Sequence, residues 1–153
     1  MINNQILNKK IIINNLLINY YSSLPDKKSN KTLIFLHGWG VDSQTWLSLF
    51  DLLKDLSYAS YLIDLPGFGH SQMPAKDFYL DDYINVVENF VKKLGLKNIV
   101  LIGHSFGGRI TIKLAVKKPD YLEKIILVDS AGIYHHSQVK TLKLLIASII
   151  RPL

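Results

Sequence analysis

The chain has 153 residues, which suits one domain, and its 48% hydrophobic content is ample for a packed core. It holds no cysteine, which excludes disulfides, thiol nucleophiles and thiolate metal sites, and its apolar run "LLIASII" is too short to span a bilayer. The net charge of +6 comes from scattered lysine groups such as "DKKSNK" and "VKKP" rather than one stripe interleaved with aromatics, so no nucleic-acid partner is expected. Residues 1–10 are polar and Asn-rich without the apolar centre of a signal peptide, which makes the cytoplasm the expected location.

In chain order, "KIIINNLLINYYSS" reads as two β-rich runs joined at Asn14-Asn15, a pair suited to a tight hairpin turn. After the polar loop "LPDKKSNK", the continuous apolar run "TLIFLH" predicts a strand buried on both faces. "SQTWLSLFDLLKDL" spaces Trp46, Leu49, Leu53 and Leu56 at helical intervals, with Ser43 as the expected N-cap. "ASYLID" is a further strand, and "LPGFGHSQMPAKD" is too rich in Gly and Pro for regular structure. "YLDDYINVVENFVKKLG" predicts an amphipathic helix closed by Gly95. "KNIVLIG" is a buried strand, "FGGRITIKLAVKKP" a helix stopped near Pro119, and "EKIILVD" a last buried strand. Because parallel strands need crossover helices, this alternation predicts an α/β fold: a mostly parallel sheet with helices on both faces, preceded by an antiparallel hairpin.

The stretch "LIGHSFGGR" places Ser105 between Gly103 and Gly107, after a strand and before a helix. A nucleophilic serine has to stand clear of the sheet, which requires a sharp strand-to-helix turn with the side chain at its apex. Glycines two residues before and two after remove the side chains that would collide there, and Gly108 lets the helix approach the sheet. "FLHGWG" ends another buried strand in a glycine-flanked turn able to aim backbone N–H groups outward. Acyl transfer needs two such donors for the developing oxyanion, and the expected pair is the N–H of Trp39 and that of Phe106, which also opens a helix. "IDLPGFGHS" lacks both the Lys-Ser/Thr ending of a P-loop and the spacing of a dinucleotide fingerprint. It reads as a structural turn in which Asp64 and His70 bond to backbone. Nothing in the sequence calls for a cofactor or a metal.

Together "LIFLHGWG", "LIDLPGFGHS" and "IVLIGHSFGG" resemble the α/β-hydrolase superfamily in order and approximate distance, over nearly the whole chain. The resemblance implies Ser105 as nucleophile, Trp39 and Phe106 at the oxyanion-hole positions, a strand order of 1-2-4-3-5-6, and a small-molecule ester or related acyl substrate. "HGWG" and "DLPGFG" are also similar to the pimeloyl-carrier-protein methyl ester esterases. Serine at the apex disfavours the dehalogenase and epoxide hydrolase activities of relatives that carry aspartate there.

The same resemblance implies a triad that runs serine, acid, histidine, with acid and base after strands that this sequence does not reach. Residues 1–134 are expected to be a partial hydrolase core, lacking the last two strands and the final helix, and 135–153 the start of a helical lid. A serine without a base is nearly inert, since loss of the histidine in a comparable triad lowers turnover about a millionfold. Five histidines are present. His37 and His104 belong to the two turns and are expected to orient backbone or pack, and His70 lies in the glycine-rich loop. His135 and His136 follow the sixth strand on the active-site edge, and Asp129 ends that strand, where some lipase-like relatives carry their acid. The uncovered sixth strand would invite a complementing chain or self-association. A non-catalytic binding protein on the same fold, or a nonfunctional fragment, are the alternatives.

Overall fold

A computed structural model describes residues 6–25, 30–53 and 58–132. Ten elements follow one another: β1 (Leu7–Ile13), β2 (Leu16–Ser23), β3 (Thr32–Leu36), a 3-10 turn (Ser43–Trp46), α1 (Leu47–Leu53), β4 (Ala59–Ile63), α2 (Leu80–Leu94), β5 (Ile99–His104), α3 (Phe106–Val116) and β6 (Leu122–Val128). They build one six-stranded sheet in the order β1-β2-β4-β3-β5-β6. β1 and β2 form an antiparallel hairpin, β2 runs antiparallel to β4, and β4, β3, β5 and β6 are mutually parallel. Asn14 and Asn15 both take positive φ, 51° and 62°, the two left-handed residues that a type I′ turn requires.

The central strands β3, β4 and β5 are mostly apolar because helical segments cover both of their faces. Alternate side chains divide between two cores. Ile34, Leu36, Ile63, Ile99 and Leu101 face one way, onto Ile84, Val87, Phe90 and Val91 of α2 and onto Ile110 and Leu114 of α3. Phe35, Leu62, Val100 and Ile102 face the other way, onto Trp46 and Phe50. The period of two along each strand is therefore preserved in space although it is invisible in the hydrophobicity.

The first helical segment differs from the expectation in its start and in its buried face. Asp42, not Ser43, is the N-cap, its carboxylate accepting from the Gln44 N–H at 2.9 Å. Ser43 sits one residue further in because its own N–H is held by Asp64 Oδ1 at 2.9 Å. The segment opens as a 3-10 turn, so Trp46 and Phe50 are buried while Leu49 is 38% exposed. α2 ends as expected at Gly95, whose φ of 62° lets the chain close in a left-handed cap. β6 has the composition of a strand buried on both faces, yet it takes the uncovered edge position that the strand order implied. It lies at the sheet edge with Ile126 45% and Val128 40% exposed, and among the described residues only β5 pairs with it.

Candidate active site

All four parallel strands end at the same edge of the sheet, and the loops that leave β3, β4, β5 and β6 meet there. Ser105 stands at the apex of the turn between β5 and α3, with φ 49° and ψ −109°, a conformation that ordinary residues avoid. The surroundings hold it in place. Its N–H donates to Val128 O at 3.2 Å, and its carbonyl accepts from Ala131 N at 3.0 Å and Arg109 N at 3.3 Å.

The glycines around the serine are required by contact rather than by flexibility. A Cβ on Gly103 would lie 2.5 Å from Gly107 O, and one on Gly107 would collide with Leu36 O and His37 O. A Cβ on Gly108 would collide with Ser130, which follows β6. Each glycine thus marks a place where α3 touches its own strand, the neighbouring β3 or the turn after β6. The Gly107 N–H donates to His37 O at 3.1 Å, which ties the two turns together.

The β3 turn lies directly against the serine: a Cβ placed on Gly38 would be 3.4 Å from Ser105 Cβ and 3.0 Å from His104 Nδ1. Trp39, 65% exposed, stacks edge-to-face on Phe106 with ring centroids 5.2 Å apart. The Phe106 N–H opens α3 and so has no intrahelical acceptor, and neither it nor the Trp39 N–H has a hydrogen-bond acceptor among the described residues. The arrangement brings Ser105, Trp39 and Phe106 to one spot.

His37 is fully buried and serves the turn. Its Nε2 accepts from the Leu65 N–H at 2.9 Å and its Nδ1 lies 2.7 Å from Gly38 O, which assigns the neutral tautomer with the proton on Nδ1. Burial holds its pKa below the usual histidine value, against the opposing pull of the Gly38 carbonyl and of Asp64. His104 packs its ring edge-on to Trp46, at 6.2 Å between centroids. His70 is exposed, and its N–H donates to Asp64 Oδ2 at 2.9 Å.

Asp64 is a buried hub rather than a reacting group. It accepts from Ser43 N, His70 N and Asn19 Nδ2, the last at 3.0 Å. Ser71 Oγ extends the network, donating to Asp64 O at 2.6 Å and accepting from Asn19 N at 2.9 Å. Sequence reasoning missed Asn19. Its signal was a lone amide inside the β-rich run "LLINYYSS".

Asp129 follows the last residue of β6 with φ 43° and is exposed, one residue beyond the carbonyl that holds the Ser105 N–H. Among the described residues no imidazole hydrogen-bonds to Ser105. His135, His136 and the expected lid over 135–153 lie outside the described residues.

The family model for the alpha/beta hydrolase fold matches residues 31–147. The chain belongs to the α/β hydrolase family. Among relatives of this chain is the abhydrolase domain-containing protein abhd-5.2 of Caenorhabditis elegans, 32% identical over 134 residues that make up 84% of this chain and 30% of the relative. The uncharacterized hydrolase YugF of Bacillus subtilis is 30% identical over 116 residues, 75% of this chain and 42% of the relative. Among solved structures, a bacterial membrane phospholipase A superposes with a TM-score of 0.79 at 29% identity, over 86% of this chain and 42% of the phospholipase. The chain thus spans less than half the length of these relatives.

Proposed function

We propose that this chain carries the nucleophilic half of a serine hydrolase that cleaves esters or related acyl compounds. The observation that carries the reading is the backbone of Ser105, held at φ 49° and ψ −109° at a strand-to-helix apex with the β3 turn packed against it. Strain of this kind costs on the order of 1–3 kcal/mol, and a fold maintains it where the geometry serves the chemistry. In this reading Ser105 Oγ attacks the acyl carbon while its proton passes to a base, and the carbonyl oxygen gains the negative charge. The Trp39 and Phe106 N–H groups, both free of other acceptors among the described residues, donate to that oxyanion. Collapse expels the alcohol, protonated by the same base, and leaves an acyl-enzyme that water cleaves by the reverse sequence. Asp129 is the proposed acid. His135, His136 or a histidine from the rest of a longer protein supplies the base.

Serine at this apex favours ester chemistry over that of dehalogenases and epoxide hydrolases, to which the fold is also similar at lower identity. The proposed setting is the cytoplasm. A fluorophosphonate probe tests the reading: labelling at Ser105 in the parent chain, lost in Ser105→Ala with the fold intact by circular dichroism, is the expected result. A second reading, a binding protein on the same fold, is favoured by the lack of any imidazole bonded to Ser105 among the described residues. Absence of labelling would select it.

A further inference from the structure

Next to the β3 turn lies an open cleft of about 590 Å³, walled by Trp39, Phe68, Met73, Phe78, Tyr79 and Tyr83. Four rings of its lining and the adjoining Phe106 ring form an unbroken series. Phe68 meets Trp39 at 5.0 Å between centroids, Trp39 meets Phe106 at 5.2 Å, Phe106 meets Tyr83 at 5.1 Å and Tyr83 meets Phe78 at 5.4 Å, every pair edge-to-face. The series starts in the β4 loop, crosses the first residue of α3 beside Ser105, passes Tyr83 of α2 and ends at Phe78 just ahead of that helix. Three large side chains of the cleft are left in water, Trp39 at 65%, Met73 at 70% and Tyr79 at 74% exposure. That is an unusual concentration of apolar surface unless something covers it. Among the described residues the only charged ones of the lining are Lys76 and Asp77, opposite in sign, so together they offer no net charge to an ionic ligand.

From this we infer that the cleft is the subsite for a neutral, medium-length acyl chain, carried by the ester whose carbonyl reacts at Ser105. The identity of the occupant follows from continuity. Trp39 contributes its N–H to the proposed oxyanion site and its indole to the cleft wall, so a chain that leaves the reacting carbonyl along the indole enters the cleft directly. The space equals on the order of twenty water volumes, which admits a flexible chain of eight to ten carbons and leaves an acetyl group unheld. The inference rests on the reading of Ser105 as nucleophile, and its test is arranged to separate the two.

The Ser105→Ala chain, which cannot turn over, is titrated with methyl acetate, methyl hexanoate and methyl decanoate while tryptophan emission is followed. Trp46 is buried and Trp39 is exposed, so entry of an apolar chain shifts the Trp39 emission to shorter wavelength. Saturating shifts are expected for the longer esters, with Kd falling about two- to fourfold per added methylene, since burying one methylene is worth that order of affinity. The shift disappears in Trp39→Phe. Met73→Glu and Tyr79→Ser weaken binding tenfold or more with unchanged thermal midpoints, the serine remaining a good cap for α2. Binding independent of chain length, or unaltered in both variants, overturns the proposal. So does Trp39 emission that is already blue and unresponsive, which would mean that the protein itself or a second copy fills the cleft. Length-dependent binding in a parent chain that no fluorophosphonate labels keeps the cleft and discards the nucleophile, and labelling without length dependence does the reverse.

Discussion

Two turns at the edge of the sheet where the parallel strands end hold neighbouring segments of backbone by opposite means. The turn at residues 103–108 is held by the lack of side chains: Gly103, Gly107 and Gly108 each stand where a Cβ would meet backbone or Ser130. The turn at residues 64–70 is held by one side chain, the Asp64 carboxylate, which gathers donors from β2, from the 3-10 turn and from its own loop. The first arrangement is steric and tolerates no addition. The second is electrostatic and tolerates no removal.

Substitutions separate the two. The largest effect is expected at Gly107, where valine would drive a branched side chain into the carbonyls of Leu36 and His37. Gly107→Val should destabilise by more than about 4 kcal/mol, read as loss of the cooperative thermal transition. A variant as stable as the parent would remove the steric account. Asp64→Ala should come next, at about 3–4 kcal/mol in urea denaturation, because it leaves the Ser43 and His70 amides and the Asn19 amide group without their acceptor. Asp64→Asn, which keeps one acceptor oxygen, should recover part of that loss.

A smaller, pH-dependent effect belongs to His37, which bridges the turns after β3 and β4. Burial lowers its folded-state pKa, so below the ordinary histidine value near 6.5 the unfolded chain takes up a proton that the folded chain refuses. Stability should therefore fall as pH drops from about 6.5 toward 5.5, by at most 1.4 kcal/mol per pH unit for one proton, and His37→Gln should flatten that slope. A slope unchanged in the variant would assign the proton to another group. The smallest expected change is a gain: Asn15→Gly, at φ 62° in the hairpin turn far from both loops, should add about 0.5 kcal/mol.

The same contrast explains what the sequence disclosed. The steric turn was legible, because "GHSFGG" after an apolar strand has few other uses, and so was the hairpin, since few pairs besides Asn14-Asn15 accept two positive φ angles. The strands were legible from composition and their order from the resemblance. The helix start at Ser43 was misplaced because its register is set by Asp64, 21 residues away, and no local pattern carries that information. The edge position of β6 came from the resemblance and not from composition, since "IILV" reads as buried wherever the sheet happens to stop. Asn19 went unnoticed because an amide in a strand acquires meaning only when a carboxylate from another strand arrives beside it.

The peptide bonds flanking Ser105 are gripped on both sides, its N–H by Val128 O and its carbonyl by Ala131 N, so the end of β6 and the turn after it act as a vice on the apex. The walls formed by Met73, Tyr79 and their neighbours take no part in that grip. Substitution of those walls can consequently reshape the cleft while the Ser105 apex keeps its conformation.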